Sequence, residues 1–159
     1  ITPYSWEELS SKIIYTLQRS RSLDYVPKDS IVVLSPNEPT TVPTFRTYLI
    51  RLEAPESGFL HKQPKIGKYY KNIYTVAMSL WLKSGFQLTD RLFSGNVQNN
   101  KGIYDFFQDV SNTLEHNTFG TILDPYPGSS IGDPSTIPTD DASVEAVSFF
   151  WFGNQNNLK

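Results

Sequence analysis

The stretch that decides the fold is Tyr70–Leu82, with the sequence YKNIYTVAMSLWL. It is rich in β-branched and aromatic residues, which are enriched in strands, and alternate residues of a strand point to opposite faces. One face carries Tyr70, Tyr74, Val76, Met78, Leu80 and Leu82, and the other carries Lys71, Ile73, Thr75, Ala77, Ser79, Trp81 and Lys83. We expect the first face to pack beneath helices, and the second to face solvent or a neighbouring molecule.

Two helical patterns flank this strand. Ser5 and Glu8 have the S-x-x-E spacing of a capping box, which satisfies the free amides at a helix start. An apolar stripe at helical spacing follows, made of Trp6, Leu9, Ile13 and Leu17. A second amphipathic helix is predicted over Gly102–Leu114, with its apolar face made of Ile103, Phe106, Phe107, Val110 and Leu114.

Further strands are predicted before and after the central one. The candidates are Ile31–Leu34, Phe45–Leu52, a short one at Phe119–Leu123, and a final one at Val144–Phe152. The final strand is apolar on both faces towards its end, so we expect another chain or another layer to cover at least one face.

The remaining segments are predicted to be irregular. Glu53–Lys68 has the composition of a hairpin tip or a mobile loop, and Ser35–Pro43 contains three prolines that exclude it from a central strand. Residues 124–143 form a long loop rich in proline and glycine, and we expect the polar Gly153–Lys159 tail to be loose.

These elements predict one α+β domain over residues 1–159. Its order is α-β-β-β-α-β, with two helices packed on one face of a mostly antiparallel sheet.

A chain of 159 residues with 38% apolar content can bury a core unaided. Its apolar runs are shorter than the roughly 20 residues needed to span a bilayer, so no membrane association is expected. The chain has no cysteine, which fits synthesis in a reducing cytoplasm.

Charge is distributed unevenly along the chain. Residues 1–83 carry 11 Lys and Arg against 7 Asp and Glu, whereas residues 84–159 carry 3 against 9. The first part is therefore net +4 and the second net −6, which could let the basic side of one copy meet the acidic side of the next. Simple drift of local composition, with both parts solvated, is the other interpretation.

No pattern of residues predicts a catalytic, metal or cofactor site. His61 and His116 are the only histidines, and we interpret both as solvated. Asp140 and Asp141 form an acidic pair that lacks the ligand count of a calcium site. No serine stands beside a convincing histidine and acid, and no phosphate-binding glycine loop is present. We therefore expect a protein that is not an enzyme; the alternative is a hydrolase whose paired carboxylates converge in the folded chain.

The most charged segment is His61–Lys71, in which lysines are mixed with tyrosines. Such a mixture suits single-stranded nucleic acid, because cations contact phosphates and rings stack on bases. The pI of about 5.6 argues against a dedicated nucleic-acid domain. A protein contact and a solvated hairpin tip are the alternatives.

The element order resembles that of the tail terminator (tail completion) proteins of long-tailed bacteriophages. The resembling parts are Trp6–Leu17, Phe45–Leu52, Tyr70–Leu82, Ile103–Leu114 and Val144–Phe152. The resemblance implies a virion protein, synthesised in the host cytoplasm, of which six copies form a ring that closes the tail tube below the head. The implied partners are the tail tube protein and a neck or connector protein, with passing contact to DNA in the lumen. The long 124–143 loop departs from the pattern, and head-completion stoppers share the size and ring habit.

If the resemblance holds, the surfaces joining neighbouring copies can be nominated. Charges at the rim of such an interface set register and association rate more than affinity. The candidate interface residues are Lys62, Lys65, Lys68, Lys71, Asp133, Asp140, Asp141, Phe149 and Trp151.

Reversal of Lys65 and Lys68 to glutamate is predicted to weaken ring assembly, because it removes the basic partner of an acidic neighbour. Analytical ultracentrifugation measures the assembly size, with reversal of Arg21 and Lys28 as the control that makes the same change in net charge. Unchanged assembly would remove these two lysines from the interface.

Overall fold

A computed structural model describes residues 3–34, 47–66, 69–83, 101–115, 117, 119, 129–140 and 143–158. Its helices are α1 (Trp6–Arg19) and α2 (Ile103–Leu114), with short 3₁₀ turns at Arg21–Leu23 and Lys28–Ser30. Its strands are β1 (Ile31–Val33), β2 (Tyr48–Glu53), β3 (Leu60–Ile66), β4 (Tyr69–Lys83), β5 (Ser129–Ile131), β6 (Ser135–Thr136) and β7 (Val144–Leu158). The α+β class predicted from sequence is confirmed.

Among the described residues the strands form one seven-stranded sheet in the order β1-β2-β4-β7-β5. β3 pairs with the first part of β4, and β6 pairs with the middle of β7. β1 and β2 run parallel, and every other pairing is antiparallel. The sheet is therefore mostly antiparallel, as the sequence predicted.

The core lies between one face of the sheet and the two helices. The alternation predicted for β4 is confirmed on this inner face, where Tyr74, Val76 and Met78 are at most 2% exposed. α1 begins at Ser5, whose Oγ accepts a hydrogen bond from the Glu8 N–H at 3.2 Å. The stripes of both helices are buried against the sheet through Leu9, Ile13, Leu17, Ile103, Phe106, Val110 and Leu114.

The last strand also contributes to the inner face, through Phe149 and Trp151. The Phe149 ring meets the Phe107 ring of α2 at 5.1 Å between centroids, in an edge-on arrangement. The Trp151 ring lies over Gly153, where a Cβ would stand 2.3 Å from a ring carbon. Only glycine fits at this position of β7 without displacing the tryptophan.

A smaller buried cluster lies on the outer face of the sheet. Leu49, Trp81, Val144 and Ala146 form it, with Val32 and Ile137 packed against it. The guanidinium of the buried Arg51 lies 5.2 Å from the Trp81 ring centroid. Part of the outer face is therefore not a free surface, which refines the expectation that it meets solvent or a neighbour.

Strand pairing overrides local composition in three segments. Of the two alternatives predicted for Glu53–Lys68, the hairpin is confirmed and the mobile loop is wrong, because this segment contains β3, which pairs with β4. The other two predictions are wrong. Residues 124–143 contain β5 and β6, each paired with β7. The Gly153–Lys159 tail continues β7 as far as Leu158, held by its pairing with the start of β4. The predicted connection at Ser35–Pro43 and most of the predicted strand at Phe119–Leu123 lie outside the described residues.

Neighbouring phenylalanines of β7 provide a test of which face is buried. Phe149→Ala is predicted to lower the free energy of unfolding by about 3–5 kcal/mol, because the side chain is 3% exposed and leaves a cavity. Phe150→Ala removes the same atoms from a side chain that is 48% exposed and should cost about 1 kcal/mol or less. Urea denaturation measures both, and equal losses would contradict the assignment of faces.

Candidate interaction surfaces

Among the nominated residues that the structure describes, the charged ones lie on two separate parts of the sheet, beside β3 and beside β6. Lys62 is exposed on β3, and the backbones of residues 65 and 71 belong to the β3–β4 hairpin. Asp133 and Asp140 are exposed beside β6. Lys68 and Asp141 lie outside the described residues.

Phe149 and Trp151 must be removed from the candidate interface. They are 3% and 1% exposed, because they occupy the inner face of β7 beneath the helices. The sequence showed that both faces of this strand are apolar, but it did not show which face the helices cover. The exposed aromatic residue of the strand is instead Phe150.

Phe150 and Phe152 form what we call the outer patch. The rings of Phe150 and Phe152 lie 6.4 Å apart on the face of β7 opposite the core. The Gly132 N–H donates to the Phe150 carbonyl at 2.7 Å, which brings the backbone of Asp133 beside this aromatic pair. Phe150 and Asp133 are exposed and Phe152 is half-buried. The patch is thus an aromatic pair on the outer face, next to a segment that carries an exposed carboxylate.

A second surface is a groove beside α1 that we call the α1 groove. It has a volume of about 520 Å³. Its lining consists of Ser11, Lys12, Tyr15, Thr16, Asn117 and Phe119. Sequence reasoning missed this groove, since its two sides are about 100 residues apart in the chain. One available signal was Tyr15, an aromatic residue that lies off the apolar stripe of α1 and is 55% exposed.

Two cations lie over aromatic rings at the α1 groove: Lys12, which lines it, and Arg19, which is outside the lining. The Arg19 guanidinium lies 4.2 Å from the Tyr15 ring centroid, and the Lys12 ammonium lies 5.2 Å from that of Tyr4. Both distances are within the range of a cation–π interaction. Neither cation forms an ion pair with a described residue.

Phe119, at one side of the groove, has a backbone conformation that is uncommon for a residue with a side chain. Its φ of 49° lies in the left-handed region. Two hydrogen bonds hold it there: its N–H donates to Asn117 Oδ1 at 2.9 Å, and its carbonyl accepts from the Tyr4 hydroxyl at 3.0 Å. Its ring packs edge-on against Trp151 at 5.3 Å. Such conformations cluster at functional sites, where the surrounding structure compensates for the strain.

A polar cluster ties α2 to the segment after α1. The Tyr25 hydroxyl donates to Asp109 Oδ2 at 2.7 Å, and the Lys101 ammonium lies 3.9 Å from the same oxygen. The Tyr48 hydroxyl both accepts from the Lys101 N–H, at 2.7 Å, and donates to the Lys101 carbonyl, at 2.9 Å. These bonds fix the chain just before α2 and position that helix on the sheet.

Burial raises the pKa of Tyr25 above its ordinary value of 10.0, and the hydrogen bond and charge of Asp109 raise it further. Burial also raises the pKa of Tyr4, Tyr48 and Tyr74. All four phenols thus stay protonated in the folded chain at pH values where the unfolded chain releases their protons.

Other classes of site were sought in the described part of the chain. There, no group of three or more His, Asp or Glu side chains is arranged to hold a metal ion. Over the same residues, no helix has the length and apolar character needed to cross a membrane. Comparison of the sequence with protein-family models and with curated proteins gives no match.

The raised tyrosine pKa values predict a loss of stability in alkali. Below about pH 10 these phenols make their full contribution to the free energy of unfolding, because they are protonated in both the folded and the unfolded chain. Above about pH 10 the unfolded chain loses their protons first, and this favours the unfolded state. In Tyr25→Phe, the decline of unfolding free energy should be shallower above pH 10, by a difference that approaches one proton, or about 1.4 kcal/mol per pH unit, towards pH 11. Urea denaturation from pH 7 to 11 measures the slope, and an unchanged slope would contradict the role of Tyr25.

Proposed function

We propose that this chain is a structural virion protein of a tailed bacteriophage, which assembles into a ring that terminates the tail tube and joins it to the head or neck. The observation that carries the proposal is the outer patch, where Phe150 is 48% exposed beside the half-buried Phe152. An exposed aromatic pair is a common feature of protein–protein interfaces, whose centres are enriched in aromatic residues.

The fold supports the proposal at the level of architecture. Two helices on one face of a mostly antiparallel sheet is the arrangement that the resemblance to tail terminators implies. A likeness of architecture does not specify function by itself, so the surfaces must carry the argument. Two distinct surfaces, the outer patch and the α1 groove, are what a closed ring of identical copies requires.

The partners follow from the place of such a ring. One side contacts the tail tube protein, the other a neck or connector protein, and DNA passes through the lumen. The role is structural, and no catalytic step is assigned. A head-completion stopper would use the same surfaces and differs only in its position in the particle.

The purified full chain is predicted to form six-fold rings, seen by negative-stain electron microscopy and as one large species in sedimentation velocity. The same ring should be located at the end of the tail tube in the intact particle by cryo-electron microscopy. A position next to the head would instead identify a stopper.

Two outcomes would contradict the proposal. One is a monomer at every protein concentration together with the absence of the chain from phage particles. The other is tight retention of single-stranded DNA by the monomer, released steeply by salt, which would identify a nucleic-acid-binding module.

A further inference from the structure

We propose that neighbouring copies meet head to tail, with the outer patch of one copy seated in the α1 groove of the next. This inference rests on the proposed function and specifies the contact that closes the ring. The occupant of the groove is therefore a second copy of this chain.

The two surfaces lie on opposite sides of one molecule. α1 is packed on the inner face of the sheet through Leu9, Ile13 and Leu17, whereas Phe150 projects from the outer face of β7. A copy cannot place its own patch in its own groove. When two different surfaces join, one of each stays unfilled at the ends of the chain of copies. Association therefore continues, and it ends in a ring where the rotation per copy closes and in an open filament where it does not.

The shape and apolar lining of the groove suit an aromatic side chain. The groove is a shallow depression of about 520 Å³ that is open to solvent, so a phenyl ring can lie against its lining. Tyr15 and Phe119 supply the aromatic surface, and the backbone of Phe119 is held by its hydrogen bonds to Asn117 and Tyr4. A site formed in advance binds without the cost of ordering its own side chains.

The charges are complementary as well. Lys12 lines the groove and Arg19 covers its Tyr15, whereas the exposed Asp133 follows Gly132, whose backbone is bonded to Phe150 of the patch. None of the three forms an ion pair with a described residue of its own copy. A contact that seats Phe150 would bring the carboxylate towards these cations, and opposite charges at the rim of an interface favour the correct register.

The same features distinguish a second copy from nucleic acid as the occupant. Glu8 lies one helical turn before Lys12, and the exposed Glu115 lies next to the Asn117 side of the groove. These carboxylates would repel the continuous charge of a phosphate backbone. A partner with one carboxylate and an exposed ring avoids most of this repulsion.

Two complementary variants test the contact. Tyr15→Asp disables the groove and leaves the patch intact, whereas Phe150→Asp disables the patch and leaves the groove intact. Each variant alone should lose the ring and sediment as a monomer. An equimolar mixture should form a one-to-one dimer and stop there, because it contains one functional pair of surfaces. Tyr104→Asp, at a tyrosine of α2 that is 60% exposed, is the matched control and should keep the ring.

Charge reversal gives an independent measurement that alters no aromatic residue. Lys12→Glu with Arg19→Glu should weaken assembly at least tenfold in dissociation constant, and adding Asp133→Lys should recover most of it. Circular dichroism checks that each variant is folded; Tyr15→Ser and Phe150→Ser replace the aspartate variants if either is not.

The outcomes separate this inference from the proposed function. If the wild-type chain forms rings and both single variants form them too, the contact is wrong and the structural role stands. Folded monomeric variants that fail to dimerise when mixed would also overturn it. If Lys12→Glu with Arg19→Glu keeps the ring but loses retention of single-stranded DNA, the groove is a nucleic-acid site. A wild-type chain that is monomeric throughout and absent from phage particles removes both proposals.

Discussion

The antiparallel pairing of β4 with β7 is the constraint on which the rest of the structure depends. It runs from Tyr69 opposite Leu158 to Lys83 opposite Val144, so each strand uses all of its 15 residues. Since side chains alternate between faces, a slip of one residue would exchange the inner and outer faces of a strand. Burial of Phe149 and Trp151 beneath the helices opposes such a slip, and it sets Phe150 on the outside.

The sequence predicted the parts of this arrangement that carry their own periodic signal. The inner face of β4 and the stripes of both helices are apolar at the correct spacing, so the sequence alone was enough to predict that they are buried. β3, β5 and β6 have no such signal. They are short or polar, and they become strands because a long neighbour offers them backbone hydrogen bonds. The polar end of β7 follows the same rule, since its pairing with β4 replaces the missing apolar pattern.

The candidate site was less predictable than the fold for a different reason. In β7 both faces are apolar, and periodicity does not say which face a helix covers. The choice of Phe149 and Trp151 over Phe150 therefore depended on the tertiary packing that α2 supplies. The α1 groove depends even more on tertiary packing. Tyr15 and Phe119 line one groove only after α1 and the segment beyond α2 are both packed on the sheet.

These dependencies connect the core to the surfaces proposed for assembly. Trp151 packs against Phe119 on the inner face, while its neighbour Phe150 projects to the outer face. One strand thus supports the side of the groove and also presents the patch. Because β7 is held along its whole length by β4, the two surfaces keep a constant relative position within each copy. A constant position gives every head-to-tail contact the same rotation, and equal rotations are the condition under which a chain of identical copies can close into a ring.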